Sequence, residues 1–124
     1  MEFTVSTDER LDVVDVTDRV ADAVPADAAG TVTVFVEHTT AGVVVNEAEP
    51  NLLDDVETFL SELVPDGGWE HDQLDDNADS HLRALLLGPG ETVPVVDGAP
   101  ALGRWQSILF VECDGPRERT VQVV

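Results

Sequence analysis

Thr31-Val32-Thr33-Val34-Phe35-Val36-Glu37-His38-Thr39-Thr40-Ala41-Gly42-Val43-Val44-Val45-Asn46-Glu47 is the stretch that decides the fold. Its first half alternates with period two, which suits a strand and not a helix. Val32, Val34 and Val36 share one face, and His38 continues it. Thr31, Thr33, Phe35 and Glu37 share the other. Thr39 to Gly42 then interrupts the pattern, with Gly42 suited to a turn. Val43 to Val45 starts a second apolar run, and Asn46-Glu47 closes it. Strand, turn and strand therefore come first, and a polar histidine junction sits between them.

Toward the C-terminus, Pro50-Asn51 opens a helix. Leu52, Leu53, Val56, Phe59, Leu60 and Leu63 have helical spacing, and Pro65-Asp66-Gly67-Gly68 stops it. A second helix is predicted from Asn77 to Leu87, capped by Asn77 or Asp76 and ended by Gly88-Pro89-Gly90. Ala78, His81, Leu82, Leu85 and Leu86 read as its apolar stripe, which turns His81 inward. Thr92 to Val96, Trp105 to Cys113 and Arg119 to Val124 read as strands. Toward the N-terminus, Phe3 with Val5 and Leu11 to Val16 give two short strands. Thr17-Asp18 can cap a short helix that ends at Pro25. The expectation is one α+β domain over residues 1–124, mostly antiparallel sheet with two main helices.

The chain has 124 residues, 43% of them hydrophobic, so it can bury a modest core. Its net charge is −20, from 26 acidic and 6 basic residues. All six basic residues are arginine. The acids are scattered rather than gathered in a tail, which points to a surface for concentrated salt rather than to a docking tail. Nucleic acid is excluded as a partner, because phosphate contacts need a basic face. No run is long and apolar enough to span a membrane, and no signal-type segment opens the chain. A high-salt cytoplasm is the expected location. Cys113, the one cysteine, lies in an apolar run and reads as a buried thiol.

The three histidines, His38, His71 and His81, each lie in a dense polar run. Imidazole is the usual neutral metal ligand and the usual proton carrier near neutral pH. Their spacing matches no local zinc signature. A strand end, a loop and a helix face can nevertheless meet, and three imidazoles with an open position would activate water or polarise a substrate oxygen. The alternative is three separate hydrogen-bonding residues. Thr39-Thr40 at a strand-to-turn junction can hold an anion or simply form a threonine turn. Glu47 is a candidate base, histidine partner or ligand, against a background of many acids. Gln106 and Glu112 alternate with Ile108 and Phe110, where a polar side chain needs a partner or a function. Arg117 and Arg119 suit a phosphate or carboxylate, or ion pairs with neighbouring acids.

Taken in order, His38-Thr39-Thr40-Ala41-Gly42, Asn46-Glu47, Trp69-Glu70-His71-Asp72, Asn77-Ala78 with His81, Leu102-Gly103-x-Trp105-Gln106 and Glu112-x-Asp114-Gly115-Pro116-Arg117-x-Arg119 resemble the YjbQ family. It is also called the secondary thiamine-phosphate synthase enzyme family. The resemblance runs from about Asp12 to the C-terminus. It implies a β-sandwich-like domain with helices on its sheets and a homotrimer. It implies joining of a pyrimidine diphosphate to a thiazole phosphate, with pyrophosphate released. His38, His71 and His81 are then the metal or catalytic cluster, with a divalent metal, zinc by preference. Glu47, Asn77, Gln106, Glu112 and Arg117 are its surroundings. Trp69 stands where tyrosine is expected, which keeps an aromatic wall without the hydroxyl. Two alternatives stand beside this enzyme: a non-catalytic trimeric module holding a metal or small anion, and a metal-dependent phosphate-ester hydrolase.

Overall fold

A computed structural model describes residues 1–124. Eight strands and three α-helices, all but the two-residue β6 in the order expected from the apolar pattern, make up the chain: β1 (Glu2–Ser6), β2 (Asp12–Asp15), α1 (Thr17–Ala23), β3 (Gly30–Val36), β4 (Ala41–Asn46), α2 (Pro50–Leu63), α3 (Ala78–Leu87), β5 (Gly90–Val96), β6 (Ala99–Pro100), β7 (Ser107–Glu112) and β8 (Glu118–Val123). A one-turn 3-10 helix, Glu70–Gln73, lies in the connection between α2 and α3. Every strand pairing is antiparallel. The strands form two sheets, in the orders β1-β8-β3-β5-β6 and β2-β7-β4.

The core lies between the sheets. Val32, Val34 and Val36 of β3 pack with Val93, Val95, Val121 and Val123 on one side and Val43, Ile108 and Phe110 on the other. β7 is apolar on both faces because it is central in its sheet and covered twice. Ile108 and Phe110 face the larger sheet, while Val111 and Cys113 meet Leu60 of α2. A strand buried on both faces loses its alternation, which explains the unbroken Ile108-to-Val111 run.

α2 begins as predicted, with Pro50 in its first turn and the Glu49 carboxylate accepting from Asn51 N–H. α3 begins at Ala78, but Asn77 does not cap it with its side chain. The Asp72 carboxylate accepts from Ala78 N–H at 3.1 Å instead. This frees the Asn77 amide to donate to Asp114 Oδ2 at 3.0 Å.

The phase of α3 differs from the expected stripe. Its buried face is Ala78, Asp79, Ser80, Arg83 and Ala84, whereas Leu85 and Leu86 are 75% and 58% exposed. The reason is electrostatic. Arg83 donates to Asp79 at 2.6 Å and to the Leu60 and Val64 carbonyls at 3.0 and 2.8 Å, closing the end of α2. Arg10 reaches the same Asp79 at 2.7 Å. These partners satisfy the buried polar groups, so a polar helix face can turn inward.

Candidate functional site

Val36 is the last β3 residue, paired with Val121 of β8. Beyond it the chain leaves the sheet, and Thr120 N–H loses its backbone acceptor. The His38 imidazole replaces that acceptor: Thr120 N–H donates to His38 Nε2 at 3.0 Å. Burial and the adjacent Arg119 and Arg117 charges lower the His38 pKa below its ordinary 6.5, with Glu112 and Glu37 opposing. Behind it, Arg119 and Glu112 form a buried ion pair. Arg119 Nη2 also donates to Thr40 Oγ1 at 2.8 Å, and Thr7 Oγ1 donates to Glu112 Oε1 at 2.9 Å. Burial opposes the charge on Glu112, but hydrogen bonds from Arg119, Asp114 N–H and Thr7 outweigh it and hold the carboxyl below the ordinary range.

A polar hollow of about 390 Å³ opens in front of this pair, lined by Glu37, His38, Thr39, Thr40, Asp75, Asn77, His81, Asp114, Arg117 and Arg119. It contains no apolar residue. His81 is also part of an adjoining, mostly apolar hollow with His38, Ala84, Leu85 and Pro89. A third hollow joins His81 to His71 and Trp69. His81 therefore stands where three hollows meet. The two residues before it are anchored: Asp79 is clamped by Arg10 and Arg83, and Ser80 Oγ donates to the Cys113 carbonyl at 2.6 Å.

The three imidazoles do not form one ligand cluster. His71 and His81 lie edge to face with ring centroids 4.8 Å apart, close to the roughly 5 Å of two imidazoles on one ion with ~2 Å metal–nitrogen bonds. His38 Nε2 is committed to Thr120. No three His, Cys, Asp or Glu side chains stand together at metal-binding spacing. Two buried atoms nevertheless have no partner: His71 Nε2 and Asn77 Oδ1. His71 Nε2 is 3.8 Å from Asp75 Oδ2, beyond hydrogen-bond distance. Unpaired buried polar atoms call for a missing partner such as an ion or water. His71 and His81 stand as a pair, no third His, Cys, Asp or Glu joins them at metal-binding spacing, and His38 does not complete the set.

Both arginines form the ion pairs that their acidic neighbours offer. Arg119 is 2% exposed and is held through Nε and Nη2 by Glu112 and Thr40, at the wall of the polar hollow. Arg117 is half exposed, tied through Nε and Nη2 to Asp114. Glu47 and Gln106 lie elsewhere. β4 and β7 are antiparallel with Ala41 opposite Glu112 and Asn46 opposite Ser107. Glu47 and Gln106 thus mark the opposite end of this sheet, some 15–20 Å away at ~3.3 Å per residue. Gln106 accepts there from Gly103 N–H at 2.8 Å. Sequence reasoning gave no role to Thr7, Asp114 or Thr120. Thr7 and Thr120 meet their partners only across long chain separations, whereas Asp114, inside the Glu112-to-Arg119 motif, offered a local signal.

Two antiparallel sheets, two helices covering the smaller one and a histidine-rimmed polar crevice at one end define an α+β domain with a small-molecule-sized site. The family profile described as UPF0047 protein YjbQ-like matches residues 1–124. The chain belongs to this family. It is 50% identical to a UPF0047 protein of Archaeoglobus fulgidus, over 99% of this chain and 98% of that one. It is 32% identical to the UPF0047 protein YugU of Bacillus subtilis, over 96% and 92%. A crystal structure of a hypothetical protein from Aeropyrum pernix superposes with a TM-score of 0.95 at 48% identity, covering 100% of this chain and 95% of that one. A YjbQ/UPF0047 structure from Clostridium acetobutylicum gives 0.91 at 34%, covering 100% and 98%. No helix is long and apolar enough to cross a membrane.

Proposed function

We propose that the crevice binds a phosphorylated small molecule, and that the chain is a thiamine-phosphate synthase-like transferase joining a pyrimidine diphosphate to a thiazole phosphate. The observation that carries this reading is the placement of His81 between a wholly polar hollow and an apolar one. A phosphorylated heterocycle has the same two halves. Its ionic end suits Arg117 and Thr39, and its ring suits the Leu85 and Pro89 side. His81 then touches the junction, where a proton must move or a leaving diphosphate must be held.

The hollow carries Glu37, Asp75 and Asp114 against Arg117 and Arg119, so its own charge does not favour a free polyanion. A divalent ion at His71, His81 and Asn77, zinc by its preference for imidazole, would supply Lewis-acid polarisation of a phosphoryl oxygen. Arg117 is oriented by Asp114, and Asp114 is fixed in turn by the Asn77 amide. Exposed Leu85 and Leu86 beside the crevice support a homotrimer that covers them. The lysine-free −20 surface supports a high-salt cytoplasm.

The test is product formation from the two phosphorylated precursors by purified protein, with elemental analysis for bound metal. Turnover that disappears in His81→Ala is the expected result. Turnover that survives it overturns the transferase reading. Ligand binding without turnover identifies a non-catalytic module instead, and phosphate release from simple esters identifies a hydrolase.

A further inference from the structure

The backbone of β8 dictates the state of one imidazole. Thr120 N–H is a donor and nothing else, so the atom it meets at 3.0 Å must offer a lone pair. A histidine nitrogen that accepts a hydrogen bond is unprotonated. In a neutral imidazole the proton is then on the other nitrogen. The His38 Nδ1 carries no protein partner among the hydrogen bonds of the chain, and the residue lines both the polar hollow and its apolar neighbour.

We infer that His38 is locked as the Nδ1–H tautomer by Thr120 and serves as a neutral hydrogen-bond donor to an anionic oxygen of the ligand, a specificity residue rather than a metal ligand or a base. This deepens the proposed function and rests on it for the identity of the oxygen as that of a phosphate. The surroundings agree. Burial first, and then the neighbouring Arg119 and Arg117, disfavour an imidazolium, with Glu112 and Glu37 opposing. Arg117 lines the same polar hollow, held through Asp114 Oδ2, which also accepts from the Asn77 amide. An oxyanion seated between His38 and Arg117 meets a donor from each. A neutral donor is also selective. It offers a hydrogen bond to phosphate oxygen without adding a charge that the crevice carboxylates would cancel.

The two halves of the inference separate in one experiment on the full chain labelled with 15N-histidine. Long-range 1H–15N spectra at neutral pH read the tautomer without any ligand. A protonated Nδ1 and an unprotonated, hydrogen-bonded Nε2 on His38 are expected; a protonated Nε2 overturns the inference whatever the protein binds. Inorganic phosphate is then titrated by calorimetry. A glutamine amide superposes on Nε2, so His38→Gln keeps an acceptor for Thr120 and removes the Nδ1 donor. An asparagine amide superposes on Nδ1, so His38→Asn keeps a donor to the crevice and releases Thr120. Phosphate affinity should fall about tenfold or more in His38→Gln, as for loss of a hydrogen bond to a charged group, and should be largely kept in His38→Asn. Equal affinity of wild type and His38→Gln overturns the donor role. If wild type with the predicted tautomer binds no phosphate, the anion reading of the crevice is overturned while the lock stands.

Discussion

Arg119 and Glu112 pair inside the protein with 2% and 0% of their side chains exposed, and the Arg119 Nε lies 2.9 Å from Glu112 Oε1. Two ions taken out of water persist only when their remaining hydrogen-bonding positions are filled. Thr7, Thr40 and Asp114 N–H fill them here. Arg119→Met leaves the Glu112 charge buried without its partner and should cost about 3–5 kcal/mol of stability. The double variant Arg119→Met with Glu112→Leu should recover part of that loss, since both charges are gone. Urea unfolding of the four proteins at neutral pH measures the coupling. Additive losses in the double variant would contradict the pairing energetics.

The same pair bears on His38 through pH. Burial, Arg119 and Arg117 lower the folded pKa of His38 below 6.5, while the unfolded chain keeps the ordinary value. Between those two values the unfolded state binds more protons, so stability rises with pH across the window. This contribution is present above about 6.5 and is lost as pH falls through the lowered value. Glu112 adds a second loss at lower pH, below its ordinary 4.5, for the usual carboxylate reason. Thermal unfolding from pH 8 to 5 should show the first decline, and His38→Gln should flatten it. An NMR titration of His38 with its midpoint above 6.5 would contradict this.

Which parts were legible follows from where the information resides. β3, β4 and α2 declare themselves through local apolar periodicity, and their boundaries match within a residue or two. The phase of α3 did not. Leu82, Leu85 and Leu86 have helical spacing and invite a core reading. Asp79 and Arg83 are the inward residues, because Arg10 and the end of α2 supply partners 69 and roughly 20 residues away. Long-range ion pairing leaves no mark in a short window of sequence. For the site, the motif residues on either side of the β3–β4 turn and after β7 did converge. Glu47 and Gln106 did not, since each is at the far end of a strand whose near end is at the crevice.

Arg83 supplies a direct test of that polar helix face. It is 1% exposed and uses its planar fork on Asp79, Asp66 and two carbonyls at the end of α2. Lysine keeps the charge but has no fork, so Arg83→Lys must leave at least one of those carbonyls unpaired. A loss of about 2–4 kcal/mol is expected. The His81 imidazole signals should shift as well, because Asp79 precedes it by two residues and anchors that turn. An unchanged denaturation midpoint would mean that the fork is not holding α2 to α3.

Cys113 should be chemically silent. Burial, and then the neighbouring Glu112 charge, push its thiol up to about 12. The thiolate is the reactive form, so almost none exists at pH 8. A chromogenic disulfide reagent should leave the folded protein unmodified for hours and titrate one thiol once guanidinium unfolds it. Rapid reaction without denaturant would show that the α2–β7 seam opens locally.

Gly42 explains the last residue of the His38-Thr39-Thr40-Ala41-Gly42 run. β4 passes so close to the end of α3 that a Cβ on Gly42 would lie 2.7 Å from the Gly88 carbonyl oxygen and 2.7 Å from Leu87 Cβ. Val43 N–H also donates to that Gly88 carbonyl at 3.2 Å, which fixes the approach. Backbone cannot swing aside as a long side chain can, so Gly42→Ala must separate β4 from α3 or strain both. Overpacking of this kind costs about 1–3 kcal/mol. Because α3 carries His81 and β4 follows Thr40, the displacement would also widen the crevice. Gly42→Ala should therefore lower the unfolding midpoint and weaken phosphate binding together, whereas Gly67→Ala, with open space around its Cβ position, should change neither. Parallel melts and phosphate titrations of the two variants check this, and equal behaviour would show that the close approach of strand and helix does not govern the site.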